Sequence, residues 1–250
     1  MQGSWLLRPK PNPSARARLV CLPYAGGGTA IYRPWAPLLS PDVELCLAQL
    51  PGREARFGEP LARSCAEIVD FLAAALAPLG DKPLALFGHS MGAAIAFELA
   101  LRLEQTPGFN LLALVASGRS APHLSDRERL HDLPDGEFLD AVRRLDGTPA
   151  GVLENAELMK LMVPVLRADL AIDETHRHEL RPSLRCAVVA LGGRSDPLAA
   201  PSTVEAWREH TAGPFRAAFC DGGHFFVQQE RGFVLREISA ELSARLAGNT

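Results

Sequence analysis

The 250-residue sequence predicts an α/β fold, a mostly parallel central sheet with helices on both faces. Three observations carry this. Short apolar runs alternate with segments of helical period along most of the chain. The runs over 43–50, 84–87 and 111–116 are near-continuous rather than alternating, as strands covered on both faces require. One of them, 84–87, breaks at Gly88-His89-Ser90-Met91-Gly92 straight into a small-residue helical segment. That is the strand–turn–helix context of a G-x-S-x-G elbow.

The elements run in order along the chain. Residues 1–16 are polar and proline-rich, with Trp5-Leu6-Leu7 as a short edge strand. Strand 18–22 runs into Pro23-Tyr24-Ala25-Gly26-Gly27-Gly28, and strand 43–50 into Pro51-Gly52-Arg53-Glu54-Ala55-Arg56-Phe57. A helix over 64–76 opens with Ser64 and Glu67 as a capping box and puts Ile68, Phe71, Leu72 and Leu76 at helical spacing. Helix 91–103 follows the elbow, then strand 111–116. Strands 185–191 and 215–220 bracket a helix starting at Ser202, with a second capping box to Glu205. An amphipathic helix over 232–246 closes the chain.

The alternation stops between residues 121 and 182, where the segments are charged and helix-forming. One helix spans 135–145. Another spans 157–171, with Leu158, Leu161, Met162, Val165 and Leu166 along one face and Pro164 inside it, where proline removes a hydrogen bond and bends a helix. Core packing would explain the apolar face. Its place after a central strand, overhanging the elbow, favours a lid whose Leu158, Leu161, Met162 and Val165 line a substrate channel. The expected organisation is one domain over 1–250 with a lid insertion at about 121–182.

Composition removes several function classes. Hydrophobic residues make up 47% and charged residues 22%, ordinary for a globular protein with a sizeable core. A net charge of −3 with scattered basic residues gives no footprint for nucleic acid. The five cysteines (Cys21, Cys46, Cys65, Cys186, Cys220) are odd in number and far apart, suiting reduced thiols better than a disulfide framework or a zinc site. The N-terminus has no apolar signal region and no run reaches membrane-spanning length, so the expectation is a soluble cytoplasmic protein, monomeric by default.

The elbow has a physical logic. Ser90 must sit at a sharp turn so that its hydroxyl projects above the carboxyl edge of the sheet, and Gly88 and Gly92 remove side chains where strand and helix pass closely. The Met91 N–H then lies at a helix N-terminus, where developing negative charge is favoured. The triple glycine at 26–28 lacks the Lys-Ser/Thr of a P-loop and the G-x-G-x-x-G of a dinucleotide fold. It reads better as an oxyanion loop, with the Ala25 N–H as partner to that of Met91; a plain glycine-rich turn is the other reading.

A serine nucleophile needs a base and an acid that orients it, here in the order Ser, Asp/Glu, His. Of seven histidines, His224 follows the final strand in Asp221-Gly222-Gly223-His224-Phe225-Phe226, where the glycines let the loop aim it back over the sheet. His89 adjoins Ser90 but points away from the strand-end site; His123, His131, His176 and His178 lie in the insertion, and His210 ends a helix. Asp196 follows a strand in Gly192-Gly193-Arg194-Ser195-Asp196-Pro197 and is the acid; alone, it would pass for an Asx-turn residue. Asp221 is a rival close to His224 in sequence, on a loop too tight for a productive hydrogen bond.

Taken together, PYAGGG at 23–28 followed by Tyr32-Arg33-Pro34-Trp35, QLPGREARF at 49–57, GHSMG at 88–92, AELMKLMVPVLRAD in the insertion, GRSDP and GGHFF resemble the type II thioesterases. These are the stand-alone editing enzymes of nonribosomal peptide and polyketide synthesis. The resemblance implies an α/β-hydrolase fold with a helical lid, and hydrolysis of acyl or aminoacyl thioesters from the phosphopantetheine arm of carrier proteins. It maps the nucleophile to Ser90, the acid to Asp196, the base to His224 and the oxyanion donors to the backbone of Ala25 and Met91. It calls for no metal or cofactor. Animal fatty-acid-releasing thioesterases share the motifs, so the acyl group stays open. Arg53 reads as an entrance residue for the pantetheine arm or, in preference, as an ion pair pinning the 51–57 loop; Trp35 reads as packing. Two alternatives stand beside the main reading: a general acyl-CoA thioesterase or esterase of the same fold, and a non-catalytic carrier-binding module. A chain-terminating domain cut from a synthase would also match, but the self-contained start and finish favour a stand-alone protein.

Overall fold

The structure, a computed structural model, describes residues 3–124, 128–145, 151, 155–179 and 184–248. Seven strands form one sheet: β1 (Leu6–Leu7), β2 (Ala17–Leu22), β3 (Val43–Ala48), β4 (Leu84–His89), β5 (Leu111–Ser117), β6 (Ala187–Gly193) and β7 (Phe215–Cys220). Their order is β1-β3-β2-β4-β5-β6-β7. β1 runs antiparallel to β3, and every other neighbouring pair is parallel. The short edge strand expected at Trp5–Leu7 is β1.

Burial on both faces explains the continuous apolar runs. Val20, Leu22 and Leu86 point into one core with Leu72, Phe97 and Trp207. Their neighbours Leu19, Cys21 and Phe87 point into the other, with Trp35, Val234 and Ile238. The first core is roofed by α1 (Cys65–Leu76) and α2 (Met91–Glu104), the second by α7 (Arg231–Ala247). Trp35 is 1% exposed and packs edge-on against Tyr32 and Phe87, the packing role expected of it.

The helix starts show which local signals decide. Ser64 caps α1, its hydroxyl accepting the Glu67 N–H at 3.2 Å, while the Glu67 carboxylate reaches the N–H of Arg63 at 2.8 Å. The second capping box does not form. α5 (Pro201–Glu205) starts one residue earlier, with Ala200 as the cap and Pro201 in the first helical position. Proline has its φ preset and no N–H to satisfy there, so it starts the helix and leaves Ser202 inside the first turn. A short helix α6 (Phe226–Gln229) precedes α7.

The insertion between β5 and β6 is helical, with no strand among its described residues. It contains α3 (Asp135–Arg144) and α4 (Ala156–Thr175). Asn155 caps α4, its side-chain oxygen accepting the N–H groups of Glu157 and Leu158 at 3.1 and 3.2 Å. α4 continues through Pro164 and extends four residues past the expected end at Ala171. Pro182, the expected end of the insertion, lies outside the described residues, as do Met1 and Thr250. No described helix is long and apolar enough to cross a membrane.

Four histidines collect beside Phe97 and Glu98 of α2. His123 Nδ1 lies 2.8 Å from His210 Nε2, with the Glu209 carboxylate 3.9 Å from His123 Nε2. His176 and His178 lie 2.8 and 3.4 Å from Glu98. His210 is fully buried, edge-on to Phe97 and Trp207. Burial first, then the charges of His123 and His178, lower its pKa from 6.5 to about 4. The unfolded chain therefore takes up a proton that the folded chain refuses between these values. His210 lends its full stability above about pH 6.5 and loses it as pH falls toward 4. Melting temperature is expected to fall over that window, and His210→Gln to flatten the slope. Identical slopes in the two proteins would contradict this.

Candidate active site

Ser90 joins β4 to α2 with φ 55° and ψ −117°, a conformation L residues avoid. The surrounding glycines make it possible. A Cβ on Gly88 would lie 2.0 Å from the carbonyl oxygen of Gly92, and one on Gly92 would lie 2.3 Å from that of Leu22. The Ser90 N–H donates to the Ser117 carbonyl at 2.8 Å, tying the turn to β5.

His224 follows β7 and Asp196 follows β6. The loops meet because Gly193 lies against the carbonyls of Gly222 and Gly223, where a Cβ would come within 2.4 and 2.7 Å. The Ser195 N–H donates to the Gly222 carbonyl at 3.0 Å. The result is a hydrogen-bonded line: Ser90 Oγ to His224 Nε2 at 3.0 Å, and His224 Nδ1 to Asp196 Oδ2 at 2.9 Å. The Asp196 side chain is fully buried, and its other oxygen accepts the Leu198 N–H at 2.8 Å. Asp196 makes both contacts that the two sequence readings describe: one oxygen closes an Asx turn and the other meets the imidazole. Asp221 is excluded as a partner: its side chain is 99% exposed, 3.6 Å from Arg194.

His89 needs a correction. It does not simply point away from the site, but lies behind His224, with Nε2 2.9 Å from the His224 carbonyl and Nδ1 2.9 Å from Ser117 Oγ. It braces the backbone that carries His224. A histidine at a strand end is a poor signal for such a role, because the partner lies 135 residues away.

The glycine loop after β2 is gripped by carboxylates. The Gly26 N–H donates to Asp169 at 2.8 Å, and Glu54 accepts the N–H groups of Thr29 and Ala30, both at 2.9 Å. Ala25, Ser90 and His224 line one cavity of about 380 Å³, and Met91 opens α2 immediately beside Ser90. Arg53 forms the expected ion pair, but its partner is Asp169 of α4, at 2.5 and 2.7 Å. Among the described residues no three His, Cys, Asp or Glu side chains are grouped to hold a metal ion.

The cavity roof corrects the lid assignment. Leu166 and Leu170 of α4 line it with Ala141 and Val142 of α3. Leu158, Leu161, Met162 and Val165 do not. Leu158 and Leu161 are 42% and 52% exposed, Met162 packs beside Phe138 and Leu166, and Val165 approaches Gly52. Of the expected face only Leu166 reaches the cavity, and the lining continues from it to Leu170, Asp173 and Glu174, while Val165 is buried against the loop at Gly52. Polar anchors hold this side of the helix: Asp169 holds Arg53, Asp173 pairs with Arg119, and Glu174 pairs with His131. Arg119 and Asp173 are 0% and 1% exposed at the side chain. Sequence reasoning missed these carboxylates; their spacing of four, Asp169 to Asp173, puts them on one helical face and is the signal that could have found them.

A serine at a strand–helix elbow after β4, an acid after β6 and a histidine after β7 define the α/β-hydrolase class. A family model described as a thioesterase domain matches residues 17–242. The chain is 41% identical over 241 residues to thioesterase PikA5 of Streptomyces venezuelae, covering 96% of this chain and 86% of that protein. It is also 41% identical over 248 residues to linear gramicidin dehydrogenase LgrE of Brevibacillus parabrevis, covering 98% and 94%. The solved structure of the type II thioesterase BorB, from the borrelidin biosynthetic cluster, matches with a TM-score of 0.87 at 38% identity over 97% of this chain and 99% of that one. The chain belongs to the thioesterase family and is a thioester-hydrolysing enzyme.

The hydrogen-bonded line makes a direct prediction. Asp196→Asn is expected to lower kcat by about 10³–10⁴-fold with little change in KM, because the imidazole loses its orienting acceptor. Asp221→Asn should leave both constants unchanged. Steady-state kinetics check this, and an equal loss in both variants would contradict it.

Proposed function

We propose that the protein removes acyl or aminoacyl groups from the phosphopantetheine arm of carrier proteins, regenerating misprimed nonribosomal peptide or polyketide synthases. The observation that carries the reading is the line Ser90–His224–Asp196, opening into a cavity roofed by α3 and α4. Ser90 Oγ attacks the thioester carbonyl while His224 Nε2 takes its proton and Asp196 stabilises the imidazolium. The oxyanion sits between the N–H groups of Ala25 and Met91, each worth ~10²–10³ in rate. The imidazolium then protonates the departing thiolate. That thiol, with a pKa near the ~8.5 of free cysteine, leaves with less assistance than an amine would need. Water, deprotonated by His224, attacks the acyl-serine and releases the acid.

Supporting observations come from the rest of the chain. The Gly26 N–H is taken by Asp169, that of Gly27 by the Tyr24 carbonyl, and those of Thr29 and Ala30 by Glu54, and the loop lacks the G-x-G-x-x-G pattern of a dinucleotide site, so the redox activity in the name of the Brevibacillus relative is not carried over. No cysteine is suited to replace Ser90: burial pushes the Cys46 and Cys65 thiols up to about 12 and raises Cys21, Cys186 and Cys220 as well. The reading needs no metal or cofactor, since the substrate brings the pantetheine arm. It places the enzyme in the cytoplasm as a monomer that meets carrier domains.

The test is hydrolysis of acetyl, propionyl, aminoacyl and long acyl groups from a phosphopantetheinyl carrier protein, with the same groups on coenzyme A and as oxygen esters. Faster release from the carrier, weak chain selectivity, and a loss of about 10³-fold or more in Ser90→Ala are expected. Equal or better turnover of coenzyme A or oxygen esters would leave a general hydrolase, and activity surviving in Ser90→Ala would overturn the mechanism.

A further inference from the structure

The 49–57 motif and the Asp169 carboxylate have contacts that the proposed chemistry does not use. Both converge on the glycine loop. Asp169 Oδ2 accepts the Gly26 N–H at 2.8 Å and Arg53 Nη1 at 2.5 Å, and Asp169 Oδ1 accepts Arg53 Nη2 at 2.7 Å. The same Nη1 donates to the Gly27 carbonyl at 3.0 Å. One turn earlier on α4, Leu166 covers Gly26 so closely that a Cβ there would lie 2.5 Å from its Cδ2. Gly26 has φ +75°, and the Gly27 N–H closes the turn onto the Tyr24 carbonyl at 2.9 Å. Ala25 is therefore held between a closed turn and a neighbour whose N–H and Cα are both gripped by α4.

An ion pair that merely fastened the insertion would need only carboxylate against guanidinium. Here one carboxylate oxygen is shared with a loop amide, and the guanidinium donates to a loop carbonyl one residue on. The Asp169 and Arg53 side chains are 4% and 11% exposed, so these bonds are shielded from water and correspondingly directional. We infer that Asp169 is a positioning residue for the oxyanion hole: with Arg53 it orients the glycine loop so that the Ala25 N–H faces the oxyanion, making that donor depend on the seating of α4. The inference rests on the proposed role of Ala25.

Asp169→Asn and Asp169→Ala test it, with Asn preserving shape should the Ala variant fail to fold. Each is measured for kcat and KM on the best thioester, for melting temperature, and for the affinity of an alkylboronic acid. The boronate forms a tetrahedral adduct on Ser90 with an oxygen in the oxyanion hole. The expected result is a fall in kcat of about 10–10²-fold, a matching fall in boronate affinity, and KM within about threefold of the unmodified enzyme. Arg53→Lys should recover part of the activity that Arg53→Ala loses, because a cation can still hold Asp169. A rise in KM with kcat intact would assign Asp169 to the cavity roof and overturn the inference. A lowered melting temperature with unchanged kcat and boronate affinity would overturn it too. Failure of the functional reading is separable, because it would show in the unmodified enzyme as absent or Ser90-independent thioester hydrolysis.

Discussion

The structure depends on one backbone conformation, the positive φ of Ser90 between β4 and α2. Such a residue costs on the order of 1–3 kcal/mol and persists only where its surroundings over-determine it. Here they do so from three sides. Gly88 and Gly92 lie so close that neither tolerates a Cβ, the Ser90 N–H is bonded to β5, and the first turn of α2 fixes the backbone on the C-terminal side. The strained turn holds Ser90 Oγ above the carboxyl edge of the sheet. There the loops after β2, β6 and β7 can reach it, beside the reversal in strand order between β3-β2 and β4.

Buried charge does the complementary work around that turn. Arg53–Asp169 and Arg119–Asp173 join the insertion to the sheet-end loops, while Arg18 with Glu44 ties β2 to β3. Such pairs contribute little net stability against well-packed apolar groups, but losing one partner leaves an uncompensated charge and is costly. Their contribution is geometry. Apolar packing of Leu166 and Leu170 against Phe138 and Val142 is non-directional, whereas the pairs of Asp169 with Arg53 and Asp173 with Arg119 tie α4 by directional bonds to residues outside the insertion.

That division explains how much could be read from the sequence. The strands, the elbow and the Ser90, Asp196, His224 order follow from burial patterns and from glycines placed where chains must touch, and both are written locally. The Ser64 side of the capping box forms, with Glu67 bonding the N–H of Arg63 instead of the cap's; the box at Ser202 is displaced by the stronger constraint of Pro201. Beyond Leu166, the cavity-facing residues of α4 escape a sequence reading because helical periodicity finds apolar residues without saying what they face. The anchors of α4 are acidic, which reads as a solvent face until Arg53, 116 residues away, is seen to meet Asp169. His89 escapes for the same reason, its partner being a backbone carbonyl that no composition or spacing marks. The Ser90 line is legible because each member stands at the end of its own strand.

The most direct measurement is intact-protein and peptide mass spectrometry after rapid mixing with an acyl-loaded carrier protein. One acyl group is expected on the peptide containing Ser90, formed as the carrier thiol is released and lost as free acid appears. Thiol release without a covalent intermediate, or an acyl group found on a cysteine, would contradict the mechanism.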